Sequence, residues 1–112
     1  DMETAQTILN VALDQARNTG EEYWLPQLLR LQARIETNPE TARSHLLEAT
    51  ERAQASGALM LDALAIIDIL SLGNAEDSST LRARLKDLIE IHKIELPAVA
   101  LARLENLTAA VG

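Results

Sequence analysis

The sequence predicts an all-α domain of about six antiparallel helices, arranged as stacked helical hairpins. Three observations support this fold class. Of the 112 residues, 20 are leucine and 18 are alanine, and both types propagate helices well without a branched β-carbon. Apolar residues recur at intervals of three and four, which places them on one face of a helix. Glycine and proline interrupt this pattern at places that suit short links.

The first two helices are predicted over residues 3–18 and 25–37. One face of the first helix carries Ala5, Ile8, Leu9, Ala12 and Ala16. Gly20 ends this helix, because glycine readily adopts the left-handed conformation that follows a helix. Pro26 suits the first turn of the second helix. The apolar stripe of that helix consists of Leu25, Leu28, Leu29 and Ile35. Its opposite face carries Gln27, Arg30 and Arg34.

The third helix is predicted to lead into a fourth that forms the centre of the domain. Asn38 caps the third helix and Pro39 opens it, and Gly57 ends it after about Ser56. The residues that face inward are Ala42, Leu46, Ala49 and Ala53. The fourth helix, over residues 58–72, is apolar nearly all round, so we expect other elements to cover it on several sides. Asp62 and Asp68 interrupt its apolar sequence. If Asp68 is buried, it must be paired, and if it is exposed, it helps to line a groove.

The last two helices follow a polar, turn-rich loop over residues 73–79. Ser79 or Thr80 is expected to cap the fifth helix, which is predicted to continue to about Ile94. Its apolar positions are Leu81, Leu85, Leu88 and Ile89. Pro97 marks the start of the sixth helix, whose narrower stripe consists of Leu101, Leu104 and Leu107.

An internal repeat appears when the chain is shifted by 37 residues. Five identities then align, in the pairs Ala5 and Ala42, Leu9 and Leu46, Ala12 and Ala49, Ala16 and Ala53, and Gly20 and Gly57. Small alanines around one leucine suit the close approach of two helices, and the glycine suits a sharp reversal. We interpret the two segments as copies of one structural unit.

The repeat resembles the tetratricopeptide repeat, in which the second helix carries a small, a large and a small residue at four-then-three spacing. Ala5-Leu9-Ala12 and Ala42-Leu46-Ala49 match that spacing. Residues 20–31 and 48–58 look like divergent repeats near the C-terminus of large bacterial signalling or transcriptional regulators. Those regulators carry an adenylate-cyclase, ATPase or winged-helix head ahead of the repeats. The chain departs from the family pattern in a turn about three residues shorter and in Gly20 and Gly57, which replace the closing proline.

This resemblance implies a fragment of a larger protein, in which residues 1–112 form a single tetratricopeptide-like domain. Residues 1–20 would be the second helix of a truncated repeat, residues 25–57 a helical hairpin and residues 58–112 the closing helices. The implied function is a scaffold whose inner face binds a protein partner or another protomer. On this chain that face would carry Gln27, Arg30, Arg34 and Asp68. Because cutting an array exposes an apolar face on the first helix, we also expect a homodimer.

Composition and motifs exclude several functions. The formal net charge of −7 makes the chain a poor binder of phosphate backbones, so direct nucleic-acid contact is not expected. No apolar stretch reaches the roughly 20 residues of a membrane span. The absence of cysteine fits a reducing compartment, so we expect a cytoplasmic protein. His45 and His92 lie in no metal-binding motif, and no nucleotide-cradle or nucleophile-elbow motif occurs. We therefore predict a domain that is not an enzyme, with no catalytic residue, metal or cofactor.

Two other functions remain open at this point. One is a small-molecule sensor with an apolar pocket between the fourth helix and its neighbours, gated by Asp68 or Arg34. The other is the helical subdomain of an enzyme that uses carboxylates such as Glu48. Tyr23 and Trp24, the only aromatic residues, adjoin the second helix, and we expect Trp24 to pack against the hairpin rather than to bind a ligand.

Overall fold

The computed structural model describes residues 1–20, 22–73 and 78–111. Within these residues the protein is helical and contains no strand, which confirms the all-α class. A single 3₁₀ turn, Glu22–Trp24, precedes the second helix. The helices are α1 (Met2–Thr19), α2 (Leu25–Ile35), α3 (Pro39–Ser56), α4 (Leu59–Ser71), α5 (Ser78–Glu90) and α6 (Ala98–Val111).

The ends of α1 and α3 follow from local side-chain and backbone chemistry. Asn38 Oδ1 accepts hydrogen bonds from the backbone N–H of Glu40 at 2.9 Å and of Thr41 at 3.4 Å. These bonds satisfy two of the amides that the first turn leaves unpaired. Gly20 and Gly57 follow the two helices with φ of 74° and 73°, a conformation in which a β-carbon is strained. Both helices are 18 residues long, and their bounds differ by the same 37 residues as the sequence repeat.

The helices pack in chain order around α4. Each of α1 to α4 contacts the next helix in the chain, and α2 also contacts α4. Helix α4 has four helical neighbours, α2, α3, α5 and α6, and Ile66, Ile67 and Ile69 on it are almost completely buried. The expectation of a central fourth helix is therefore confirmed.

Two apolar cores lie on either side of the α2–α3 pair. The smaller core joins α1 and α2 to one alanine from each of the next two helices: Leu9, Leu13, Ala16, Leu25, Leu29, Ala49 and Ala65. The larger core surrounds α4 and contains Leu46, Leu81, Leu85, Leu88 and Ala100 besides the residues of α4 itself. The inward face predicted for α3 is confirmed, because Ala42, Leu46, Ala49 and Ala53 are all buried.

The structure corrects the predicted face of α1. The buried residues of this helix are Leu9, Leu13 and Ala16. Ala5 is exposed, and Ile8 keeps 65% of its surface in contact with solvent. The reason is that, among the described residues, α2 is the one α-helix whose α-carbons lie within 8 Å of those of α1, whereas α3 lies between α2 and α4. A sequence pattern shows which residues share a face but not how many neighbours cover it.

The C-terminal part also differs from the prediction. Helix α5 ends at Glu90 rather than near Ile94, and Lys93 has a positive φ of 60°. Residues 91–97 form a non-helical segment, and no α-carbon of α6 lies within 8 Å of one in α5. Helix α6 packs instead on α4, with Ala100 buried and Leu101 45% exposed. Of the predicted loop over residues 73–79, residues 74–77 lie outside the described part of the chain.

Candidate functional site

An open groove of about 640 Å³ lies where α2, α3, α4 and α6 approach one another, and we call it the α2–α6 groove. Its charged and polar residues include Arg30, Arg34, Glu36, Asp68, Ser71 and Arg103. Its apolar residues include Ala33, Ala42, Leu46, Leu72 and Val99. The groove therefore combines an aliphatic floor with a cluster of arginines.

Asp68 is the centre of a network of charged hydrogen bonds across three helices. Arg30 of α2 donates from Nε to Asp68 Oδ2 at 2.7 Å, and Arg103 of α6 donates from Nη1 to Asp68 Oδ1 at 2.7 Å. Arg30 Nη1 also donates to Gln27 Oε1 at 3.0 Å, and Arg103 Nη2 donates to Ser71 Oγ at 2.8 Å. One carboxylate thus holds two guanidinium groups, and the requirement that a buried Asp68 be paired is satisfied.

The spacing on α2 explains how three of the predicted residues come together. Positions 27, 30 and 34 are three and four residues apart, so they follow one another along one face of the helix. That face points towards α4 near Arg30 and towards solvent near Arg34. Arg30 is only 8% exposed, so the expectation that it lies opposite the buried stripe is wrong. The cause is that α4 covers this side of α2 and supplies Asp68 as the partner of Arg30.

The four predicted site residues are therefore close together but not equivalent. Arg30, Arg34 and Asp68 line the groove, whereas Gln27 supports Arg30 from the side. Arg34 is exposed and makes no ion pair or hydrogen bond with any described residue. It is the one arginine of the groove whose five donor N–H groups are all free of protein acceptors.

Sequence reasoning missed Arg103 and Ser71. Asp68 on an apolar helix did indicate that a basic partner was needed, but it did not indicate which of the ten basic residues would supply it. Arg103 is 35 residues away along the chain, and it reaches Asp68 because α6 packs on α4 rather than on α5. No local pattern carries that information.

A second buried ion pair lies outside the groove. Arg84 of α5 donates to Asp62 of α4, whose side chain is only 4% exposed. Desolvation by burial raises the pKa of Asp62, while the hydrogen bond and the charge of Arg84 oppose that rise. This pair ties α5 to α4, with the carboxylate of Asp62 buried and Arg84 still partly exposed.

The other candidate residues form no chemical site. Glu48 accepts a hydrogen bond from Arg17 at 3.0 Å and lies 3.8 Å from Arg52, so it is engaged at the surface. Within the described residues, no three His, Asp or Glu side chains are placed to hold a metal ion. Trp24 is 55% exposed and its ring centroid lies 5.1 Å from that of Tyr23. Trp24 therefore packs less closely than expected: it lies beside the ring of Tyr23, while the buried residues at this end of the hairpin are Leu25 and Pro26.

Comparisons with known proteins add no family assignment. No protein-family model, no curated protein and no solved structure matches this chain. A membrane-crossing helix would need more length and more apolar character than any helix in the described ranges has.

Proposed function

We propose that this chain is a tetratricopeptide-like scaffold domain of a cytoplasmic bacterial signalling or transcriptional regulator. It acts without catalysis, cofactor or metal, and it binds a protein partner or a second copy of itself. The docking site is the α2–α6 groove. Arg34 and Arg103 are accessible there, while Arg30, Gln27 and Asp68 shape its wall.

The packing order supports the repeat architecture. Links of three and two residues connect α2 to α3 and α3 to α4, and such short links join antiparallel helices. Helix α4 packs on both α2 and α3, so it adds to the hairpin that these two helices form. The equal length and glycine termination of α1 and α3 support a repeated unit.

The single observation that carries the proposal is the chemistry of the groove. Its carboxylates are already engaged, since Asp68 accepts from two arginines and Glu36 accepts from the backbone N–H of Asn38 at 3.1 Å. Neither is placed as a free general base. Accessible arginines beside exposed aliphatic side chains, of which Val99 is 76% exposed, are the composition that recurs at protein interfaces.

The test is to block the groove without changing its charge. A library of random peptides displayed on phage is selected on the wild-type domain, and the recovered peptides are then measured on two variants. Val99→Trp places a large ring in the groove, whereas Ile91→Trp places the same ring at an exposed position outside it. We expect Val99→Trp to weaken peptide binding at least about tenfold and Ile91→Trp to leave it unchanged. Recovery of no peptides, or of peptides that bind both variants as they bind wild type, would refute the groove as the docking site.

The volume of the groove also supports a second candidate, a small-molecule effector site. Sites for such ligands measure roughly 300–1,000 Å³, and this groove falls in that range. In that case a compound from a metabolite library would raise the melting temperature of the wild type when it binds. Asp68→Ala would abolish this rise, because it releases both arginines. Absence of any ligand-induced shift would argue against this candidate.

A further inference from the structure

The α2–α6 groove has an excess of positive charge on an acidic protein. Its three arginines, Arg30, Arg34 and Arg103, face two carboxylates, Asp68 and Glu36. The chain as a whole carries a formal charge of −7. The groove is therefore a place at which an anionic group gains attraction, although the chain as a whole is negatively charged.

Donor groups remain free for such an anion. Arg30 uses Nε and Nη1, and Arg103 uses Nη1 and Nη2, in the hydrogen bonds described above. Arg30 Nη2, Arg103 Nε and the whole guanidinium of Arg34 have no acceptor among the described residues. Because the Asp68 carboxylate holds Arg30 and Arg103 in place, these donors are ordered before any ligand arrives.

We propose that the occupant of this groove is an acidic, extended segment of a partner protein, an inference that rests on the proposed function. Glutamate or aspartate side chains of that segment accept hydrogen bonds from Arg34 and from the free edge of Arg103. An aliphatic side chain beside them packs on Leu72 and Val99, which lie exposed at the groove. Alternation of acidic and aliphatic residues is the pattern that this arrangement selects, because successive side chains of an extended segment point to opposite sides.

The surroundings favour a short acidic segment over two other anionic partners. A nucleic acid would present its phosphates well beyond the groove, where the net negative charge of the chain repels them. A second copy of this chain carries −7 over a whole domain, so docking it in the groove would bring like charge against the residues around the groove. A short segment brings its carboxylates only to the arginines.

The experiment uses fluorescence anisotropy with two labelled hexapeptides, one of alternating Glu and Val and one of alternating Gln and Val. We expect wild type to bind the Glu peptide at least about tenfold more tightly than the Gln peptide. Arg34→Gln is expected to weaken binding of the Glu peptide about tenfold. Arg82→Gln is the matched control, because Arg82 lies on α5 outside the groove and has no ion-pair partner among the described residues. This variant is expected to change binding of the Glu peptide less than about twofold.

Other outcomes of these binding measurements would affect the proposal in different ways. Equal affinity for the two peptides, or equal losses in Arg34→Gln and Arg82→Gln, would overturn the acidic-segment proposal. If Val99→Trp still blocks peptides recovered from the display library, the groove remains a docking site and only its acidic preference is refuted. If wild type is dimeric and Arg34→Gln makes it monomeric, the occupant is a second copy and the proposal of a partner segment is wrong.

Discussion

The Asp68 network makes a quantitative prediction about stability, because one carboxylate serves two arginines of different exposure. The side chains of Arg30 and Asp68 are 9% and 13% exposed, and that of Arg103 is 37% exposed. Asp68→Ala leaves both guanidinium groups without their shared acceptor. Breaking a buried pair in this way costs about 3–5 kcal/mol. Since Arg103 retains contact with water, we expect the low end of that range, a decrease of about 3 kcal/mol in the free energy of unfolding.

The two arginine variants are expected to cost less, in a defined order. Arg30→Ala removes the buried guanidinium and the packing of its stem, but Asp68 keeps Arg103, so we expect a loss of about 2 kcal/mol. Arg103→Ala removes the more exposed partner and should cost less than about 1 kcal/mol. Asp68→Asn keeps the shape and one acceptor oxygen, so its cost should fall between those of Asp68→Ala and Arg103→Ala.

Urea unfolding followed by circular dichroism at 222 nm measures these four free energies. The assay is run at pH 7 in low and high salt. The Arg103→Ala effect should shrink further in high salt, because that pair is the more accessible one. This reasoning would be refuted if the free energies lost in Asp68→Ala, Arg30→Ala and Arg103→Ala agreed within about 0.5 kcal/mol. A larger loss in Arg103→Ala than in Asp68→Ala would refute it as well.

Three further predictions follow from burial and exposure. Leu46→Ala should lower the free energy of unfolding by about 2–5 kcal/mol, and Leu9→Ala by less, because Leu46 is the more deeply buried and its helix lies between α2 and α4. Chemical denaturation that shows the larger cost at Leu9 would contradict this packing order. Asp62→Asn should stabilise the protein at pH 7, because the raised pKa of Asp62 means that the native state binds this proton more tightly than the unfolded state does. The contribution of Asp62 to stability is favourable below the unfolded pKa and is lost as the pH rises through the folded pKa, so the gain from Asp62→Asn should shrink towards pH 4. Thermal melts in which the gain grows towards pH 4 would contradict this sign. Ile8→Glu should abolish self-association at millimolar concentration without lowering Tm, because Ile8 lies on the exposed apolar face of α1. Light scattering that finds the wild type monomeric, or the variant still associated, would exclude this face as the contact.

The sequence predicted the candidate site in part. Gln27, Arg30 and Arg34 share a face of α2 because helical geometry puts positions three and four apart together. Asp68 stood out because a carboxylate on an apolar helix requires a partner. The burial of Arg30 and the participation of Arg103 were not predictable, because they depend on which helices pack against α2 and α4.

By itself the sequence determined the all-α class and the ends of α1 and α3. Asn38, Gly20 and Gly57 act within a few residues of themselves, so their effect on the backbone is the same whatever surrounds them. The tertiary structure alone decided which faces are covered and which charges meet. Ile8 is exposed because, among the described residues, α2 is the one α-helix whose backbone lies close to that of α1. Asp68 meets Arg103 because residues 91–97 lead α6 back onto α4. Such contacts are set by the competition among distant apolar surfaces for burial, which no short segment of sequence encodes.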